Sequence, residues 1–350
     1  MDFLVGSEMY AVHYVDRRYS ELHGGGRDGV RRAPVLEILL RLARVLSLVM
    51  ADKVYVMPTT PLSRIERAIV LRANKSLVVD YYISVYDTLV NDRALVAADS
   101  RKARKLMEMD QFLIDAAEHL IFLSNAERDY YLRVADRQDA KSRTMVVPLC
   151  SERRPSACLP FANGKTDCIT LCWWGTYIPL HGLEKILKAA VHHRDSRVVF
   201  ELFVFGTSEA LAQGHREFIA KNGLTSCVKI DNTKRLADGS LEKFLLERCD
   251  LAFGNFGDSE KAKTVCLNKA VEAASMGIPV ISQRTAALAE LFKEDEEIIF
   301  VAPSGSALSN EIGVLVKDTE RLLRVGASAR KRARREFSKE RFLERMRAAL

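Results

Sequence analysis

The chain has 350 residues, of which 48% are apolar and 28% charged, and its net charge is +7. That length exceeds what one core usually serves and predicts two domains, while the composition is that of an ordered globular protein and excludes a fibre or a disordered chain. Residues 317–350 hold 12 Lys/Arg against 5 Asp/Glu, which is the whole of the +7, so no dedicated nucleic-acid binder is expected, since that needs a basic face on the folded body.

Met1–Val5 has no basic stretch leading into an apolar core, so no signal peptide is expected and the chain reads as cytoplasmic. The first strand is expected at Phe3–Val5. The stretch His23–Ala33 contains Gly24, Gly25 and Gly26, but no strand immediately precedes it, and it reads as a plain loop. The most apolar run, Val35–Met50, is interrupted by Glu37, Arg41 and Arg44. It falls short of a membrane span and is expected to be a packed helix. Further strands are expected at Lys53–Met57, Ser76–Asp80, Leu120–Leu123 and Thr144–Val147. The segment Ser151–Thr166, with two prolines and a glycine, reads as an interdomain linker. Beyond it come strands at Ile169–Trp173, Phe200–Phe205, Val228–Ile230, Leu251–Phe253, Pro279–Ser282 and Ile298–Val301.

These runs are mostly continuous in apolar character, as in strands buried on both faces. Amphipathic segments alternate with them. In Leu183–His193, for example, Leu183, Ile186, Leu187 and Ala190 share one face. Strand and helix in alternation mean a parallel sheet covered by helices, and the pattern runs twice. The expected domains are residues 1–155 and 156–318, followed by a basic helical segment, 319–350, that packs back toward the first domain. Its run Arg330–Arg335 is expected to be a solvated face, with contact to an anionic membrane surface as the alternative. The seven cysteines include no CxxC pair and are expected to be reduced, mostly buried thiols.

Three strand ends carry the chemistry. Trp173–Gly175 runs into a loop that ends at Gly182, where a helix opens. Val204-Phe205-Gly206 is a second glycine-terminated strand. The third stretch runs from Gly254 through Phe256 and Gly257 to a helix expected to start near Val265 and to stop at Gly277-Ile278-Pro279. Backbone amides at a helix start, together with Lys261, Lys263 and Lys269, favour a diphosphate with one sign throughout. Lys269 and Glu272 are three apart and share a helix face. Lys suits a phosphate and Glu suits ribose hydroxyls, although the pair is also what an ordinary surface ion pair looks like.

The segment from Phe256 to Glu290, with Gly175–Gly182, Asp80–Thr88, Ala117–Ser124 and Val146–Leu149, resembles glycosyltransferase family 4, in particular bacterial enzymes that build cell-surface polysaccharides. The resemblance implies the GT-B fold, an α/β architecture of two Rossmann-like domains with parallel sheets facing across a cleft. It implies transfer of a sugar from a nucleoside-diphosphate sugar to a glycan or lipid-linked acceptor, with retention and with no metal or other cofactor. On that basis Lys269 and then Lys261, with the amides of Val265 and Cys266, are expected at the diphosphate. Gly175 and Thr176 are expected to line it from the opposite loop, Gly206, Phe256, Gly257 and Thr264 to complete the donor pocket, and Glu272 to hold the ribose. Asp80 or Asp87 is expected to orient or deprotonate the acceptor hydroxyl. The chain departs from the family in three places. Thr264 stands where the first glutamate of a Glu-x7-Glu pair is usual, and Thr176 and His181 stand where the loop usually carries Arg and Lys. Two alternatives remain open: a non-catalytic GT-B partner subunit, and a GT-B phosphorylase or sugar-nucleotide epimerase.

Overall fold

The computed structural model describes residues 9–12, 42, 45–46, 48–51, 53–58, 62–153, 159–194, 196–205 and 209–349. The expected strand Phe3–Val5, the loop at 23–33 and Gly206 lie outside them. The chain divides into two compact units, Met1–Val147 with Arg345–Leu350, and Pro148–Glu344. The division falls just ahead of the proline-bearing segment read as a linker.

In the first unit, β1 (Met9–Val12), β2 (Lys53–Val56), β3 (Ser76–Asp80), β4 (His119–Phe122) and β5 (Thr144–Val146) form one sheet in that order, every pair parallel. β1 was not expected from the sequence. The central strands are apolar throughout because both faces are covered: Leu77, Val78, Val79, Leu120, Ile121 and Phe122 are all buried. Serines start the covering helices. Ser63 caps Arg64–Arg72 in a reciprocal box with Glu66, and Ser100 and Ser124 accept the third backbone N–H of Arg101–Ala116 and Asn125–Val134.

The second unit holds β6 (Ile169–Gly175), β7 (Val198–Val204), β8 (Val228–Asp231), β9 (Leu251–Phe253), β10 (Val280–Ser282) and β11 (Ile299–Phe300). Their order is β11-β10-β9-β6-β7-β8, all parallel. The chain winds outward through β7 and β8, then returns to the centre and winds the other way from β9. The winding therefore reverses between β6 and β9, and the crevice beyond their carboxyl ends is where a doubly wound sheet takes its ligand. The core beneath is aromatic, with Trp173, Phe200, Phe253 and Phe256 fully buried.

The basic segment forms two helices, Thr319–Glu336 and Lys339–Ala349. The first packs within the second unit, against the helix Asn268–Met276. Contact there is backbone to backbone: a Cβ on Gly326 would lie 2.4 Å from the Gly277 carbonyl oxygen. Only Arg345–Leu350 groups with the first unit. Among the described residues no helix is long and apolar enough to cross a membrane.

Candidate functional site

The loops that leave β6 and β9 meet backbone to backbone. Gly182 has φ +60°, and a Cβ there would lie 2.4 Å from the carbonyl of Phe256. A Cβ on Gly257 would lie 2.5 Å from the Leu180 oxygen. The Phe256 amide donates to His181 O at 3.2 Å, and the Lys185 ammonium donates to Phe256 O at 2.7 Å while pairing with Asp258. The Phe256 ring is fully buried, edge-on to Phe253. Phe256 therefore acts through its backbone and anchors the loop in the core, rather than presenting its ring to a ligand. Gly257 is fixed likewise, its oxygen accepting from Gln283 Nε2 at 2.9 Å.

Under these loops, the last buried residues of β6 form a cluster around Trp173. Tyr177 stacks on the indole at 6.2 Å, and His181 stands edge-on to it at 5.4 Å. The ring N–H at His181 Nδ1 donates to Thr176 O at 2.8 Å, and the ring packs so close to Gly175 that a Cβ there would lie 2.7 Å from it. Lys269 completes the cluster. Its Nζ lies 4.5 Å from the centre of the Trp173 ring and has no hydrogen-bond partner. The residue is 5% exposed, and burial pulls the ammonium down to about 7, against the opposing pull of Glu272. Trp173 Nε1 and the Tyr177 hydroxyl are also buried without a partner. Three buried polar groups without a partner, one of them an ammonium, therefore belong to this one cluster.

Lys269 belongs to the helix Asn268–Met276, whose N-cap residue Leu267 has no side chain that can cap it. The first amides of that turn have no intrahelical acceptor and carry the positive end of the helix dipole. The expected start near Val265 is corrected here. A separate short helix, Glu260–Thr264, comes first, and the Val265 amide closes it by donating to Lys261 O at 3.0 Å. Val265 N–H is thus spent, and the helix that carries Lys269 and Glu272 opens at Asn268. Lys261 and Cys266 are both buried. Thr264 donates its hydroxyl to Glu260 O, its own preceding turn, at 2.8 Å.

Glu272 does not form a simple surface pair. Its carboxylate accepts from Trp174 Nε1 at 2.9 Å and faces Arg153 at 3.7 Å, and Arg153 is also bonded to Glu242 at 3.1 Å. Glu272, Asn268 and Val271 line a cleft of about 270 Å³ with Ser151, Glu152 and Arg153. Consecutive tryptophans on β6 point to opposite faces of the pleat, so Trp173 takes the lysine and Trp174 the glutamate. Neither tryptophan, nor Arg153 or Lys185, was singled out as functional from sequence. The alternation of side chains along a strand was the available signal for the first two.

In the first unit, Asp80 ends β3. Its Oδ2 accepts from the Tyr55 hydroxyl at 2.8 Å, while Oδ1 is buried without a partner. Burial raises the carboxyl to about 7, opposed by the Tyr55 bond. Asp87 is different. It is fully buried, and Oδ1 accepts from the Tyr130 hydroxyl at 2.6 Å and from Asn91 at 3.0 Å. This ties together elements of the core and leaves Asp87 out of reach of an acceptor. Among the described residues no group of three or more His, Cys, Asp or Glu is arranged to hold a metal ion.

Residues 243–348 match the family described as Glycosyl transferase-like, a span that takes in the Gly254–Asp258 loop, Lys269 and Glu272. The whole chain superposes on HepE of Anabaena, solved with UDP-glucose, at a TM-score of 0.67 and 15% identity, covering 97% of this chain and 91% of that one. Sucrose-phosphate synthase of Thermosynechococcus elongatus gives 0.65 at 15% identity over 91% and 79%. TarM of S. aureus, solved with UDP, gives 0.65 at 12% identity over 87% and 58%. The fold is GT-B. No curated protein matches the chain by sequence. As a GT-B chain it has the two Rossmann-like parallel sheets read from the sequence, and its crevice beyond β6 and β9 lies in the unit that carries the family match.

Proposed function

We propose that this chain is a hexosyl-transferring glycosyltransferase of the family 4 type, with a nucleoside-diphosphate sugar as donor. The observation that carries the reading is the buried ammonium of Lys269, without a hydrogen-bond partner, beside the uncapped start of its own helix at the switch point of the sheet. An anion with several acceptor oxygens would satisfy both. Solved structures of HepE and TarM contain UDP, which puts uridine first among the bases to test.

In this reading the bond from C1 of the sugar to the β-phosphate oxygen breaks, and negative charge builds on the departing diphosphate. Lys269 and the amides of Asn268 and Lys269 stabilise that charge in a site with little water. Glu272, held by Trp174 and Arg153, accepts the ribose hydroxyls. The acceptor hydroxyl oxygen forms the new bond to C1, with retention and without a metal, and its proton passes to Asp80. The acceptor is a glycan or a lipid-linked molecule of surface polysaccharide synthesis, and the enzyme works at the cytoplasmic membrane face. Two surfaces support peripheral contact. Leu42, Leu46, Val49 and Met50 are 60, 61, 51 and 76% exposed on one helical face. The helix Thr319–Glu336 exposes Arg324, Lys331 and Arg334.

A thermal-shift series with UDP, GDP, dTDP and ADP tests the donor site. One nucleotide should stabilise the protein saturably, and Lys269→Ala should abolish the shift. No saturable shift with any of the four would sink the reading. A second reading, a non-catalytic partner subunit, is favoured by Thr264, whose hydroxyl is turned into its own helix. Saturable nucleotide binding without turnover of any nucleotide sugar would select it.

A further inference from the structure

Arg153 stands between two carboxylates and bonds only one of them. Its Nη1 donates to Glu242 Oε2 at 3.1 Å, while Nη2 lies 3.7 Å from Glu272 Oε1, beyond hydrogen-bond distance. The side chains of Arg153, Glu242 and Glu272 are 26, 17 and 16% exposed, so solvent screens these attractions only in part. At that distance Arg153 steadies Glu272 without occupying it. Glu272 Oε2 accepts from Trp174 Nε1 at 2.9 Å, whereas Oε1 accepts no hydrogen bond from the described residues. The main chain beside Arg153 is fixed. The Ser151 amide donates to Phe337 O at 2.9 Å, and the Ser151 hydroxyl meets that of Ser275 at 2.9 Å, which itself donates to Glu272 O at 2.7 Å.

The segment that carries Arg153 is therefore pinned to the helix that carries Glu272, and the swing of the guanidinium alone decides which carboxylate it serves. We propose that Glu242 is a positioning residue: it holds Arg153 off Glu272 and so keeps Glu272 Oε1 open to the hydroxyls of a ribose. A guanidinium has five N–H donors and binds a carboxylate best through two of them. Without Glu242, the nearest carboxylate for Arg153 is Glu272. Arg153 and Glu272 line the same cleft of about 270 Å³, so a guanidinium drawn onto Oε1 would occupy the space that a ribose hydroxyl needs. The cost would then fall on nucleotides that carry those hydroxyls and spare those that lack them. The ribose contact rests on the glycosyl-transfer reading. The exchange of Arg153 between two glutamates does not.

Calorimetric titration of the whole protein with UDP and with 2′,3′-dideoxy-UDP tests the proposal. Glu242→Leu should weaken UDP about tenfold and leave dideoxy-UDP unchanged, and Glu242→Gln, which keeps an acceptor without the charge, should fall between. Adding Arg153→Met to Glu242→Leu should recover at least about threefold of the lost UDP affinity, a rescue that a merely structural role for Glu242 would not give. Equal losses for both nucleotides, or a double variant no better than Glu242→Leu, would overturn the proposal. A second measurement needs no nucleotide. In urea denaturation, the coupling between Arg153→Met and Glu272→Gln should be under about twofold in the folding equilibrium constant with Glu242 present, and at least about threefold in Glu242→Leu. Coupling that does not grow would also overturn it. Coupling that grows, in a protein whose Glu272→Ala variant binds UDP as wild type does, would uphold the exchange and remove the ribose role alone.

Discussion

Lys269 Nζ lies 4.5 Å from the centre of the Trp173 indole and has no hydrogen-bond partner. A desolvated cation over a tryptophan face gains about 2 kcal/mol, which does not replace the water that burial removes. Burial therefore holds its proton loosely, and in the proposed reading an incoming anion would restore it.

Removing that charge should therefore stabilise the fold and disable the site. The lysine binds its proton less tightly folded, at about 7, than unfolded, at 10.5. Unfolded chains hold the extra proton between those values, so this group makes stability rise with pH across that window. Lys269→Met should resist urea better than wild type at pH 7, with the gap closing toward pH 10.5, and should bind UDP at least about 30-fold more weakly (~2 kcal/mol). A variant less stable than wild type at pH 7 would contradict the burial argument.

Nucleotide binding should take up protons. At pH 8 a lysine that titrates near 7 is mostly neutral, and a diphosphate beside it restores the proton. Calorimetry of UDP binding in buffers of different ionisation enthalpy should show uptake at pH 8, shrinking toward pH 6 and absent in Lys269→Met.

Trp174→Phe keeps an aromatic side chain, though a smaller one, and loses the donor to Glu272. UDP affinity should fall about 3- to 10-fold, the worth of one hydrogen bond. Affinity for 2′,3′-dideoxy-UDP should not change, because that nucleotide has no hydroxyls for Glu272 to hold. Equal losses for both nucleotides would move the ribose contact elsewhere.

Two glycines separate backbone strain from contact. Gly182 (φ +60°) and Gly223 (φ +65°) are both left-handed, but a Cβ at 223 meets nothing within 4 Å. Gly223→Ala should cost about 1 kcal/mol, and Gly182→Ala, which drives a Cβ into the Phe256 carbonyl, about 3 kcal/mol or more. Chemical denaturation of the two variants measures the difference.

Asp80 is raised from 3.8 to about 7. The stability it lends as a neutral acid is complete below 3.8 and is lost as pH rises through 7. Asp80→Asn should match wild type at pH 4, exceed it in stability at pH 8, and lose transfer. Tyr55→Phe removes the bond that holds the carboxyl down, so the acidic limb of the transfer profile should move to higher pH.

Alternation of apolar runs and amphipathic segments made both sheets legible apart from β1, because strands buried on two faces read as continuous apolar runs. Lys269 and Glu272 were legible as well, three apart on a helix. Their partners were not. Trp173 and Trp174 lie nearly a hundred residues away, and which of them meets the lysine is decided by the order β9-β6 in the sheet, a long-range property. The helix start was misplaced by three residues because Ser259 caps a short turn of its own, which uses the Val265 amide first. Asp87 could not be told from Asp80 in sequence, since one ends a strand and the other follows it by seven residues, and only packing against Tyr130 separates the internal tie from the candidate base.

The meeting of Gly182 with Gly257 also bears on rates. Loops that touch through main chain at several points have little freedom left to surrender, so capturing a nucleotide there need not first order them. Association at this site should then be limited by collision and orientation, with a rate that does not saturate as nucleotide concentration rises, and selectivity among bases should reside in how long each remains bound.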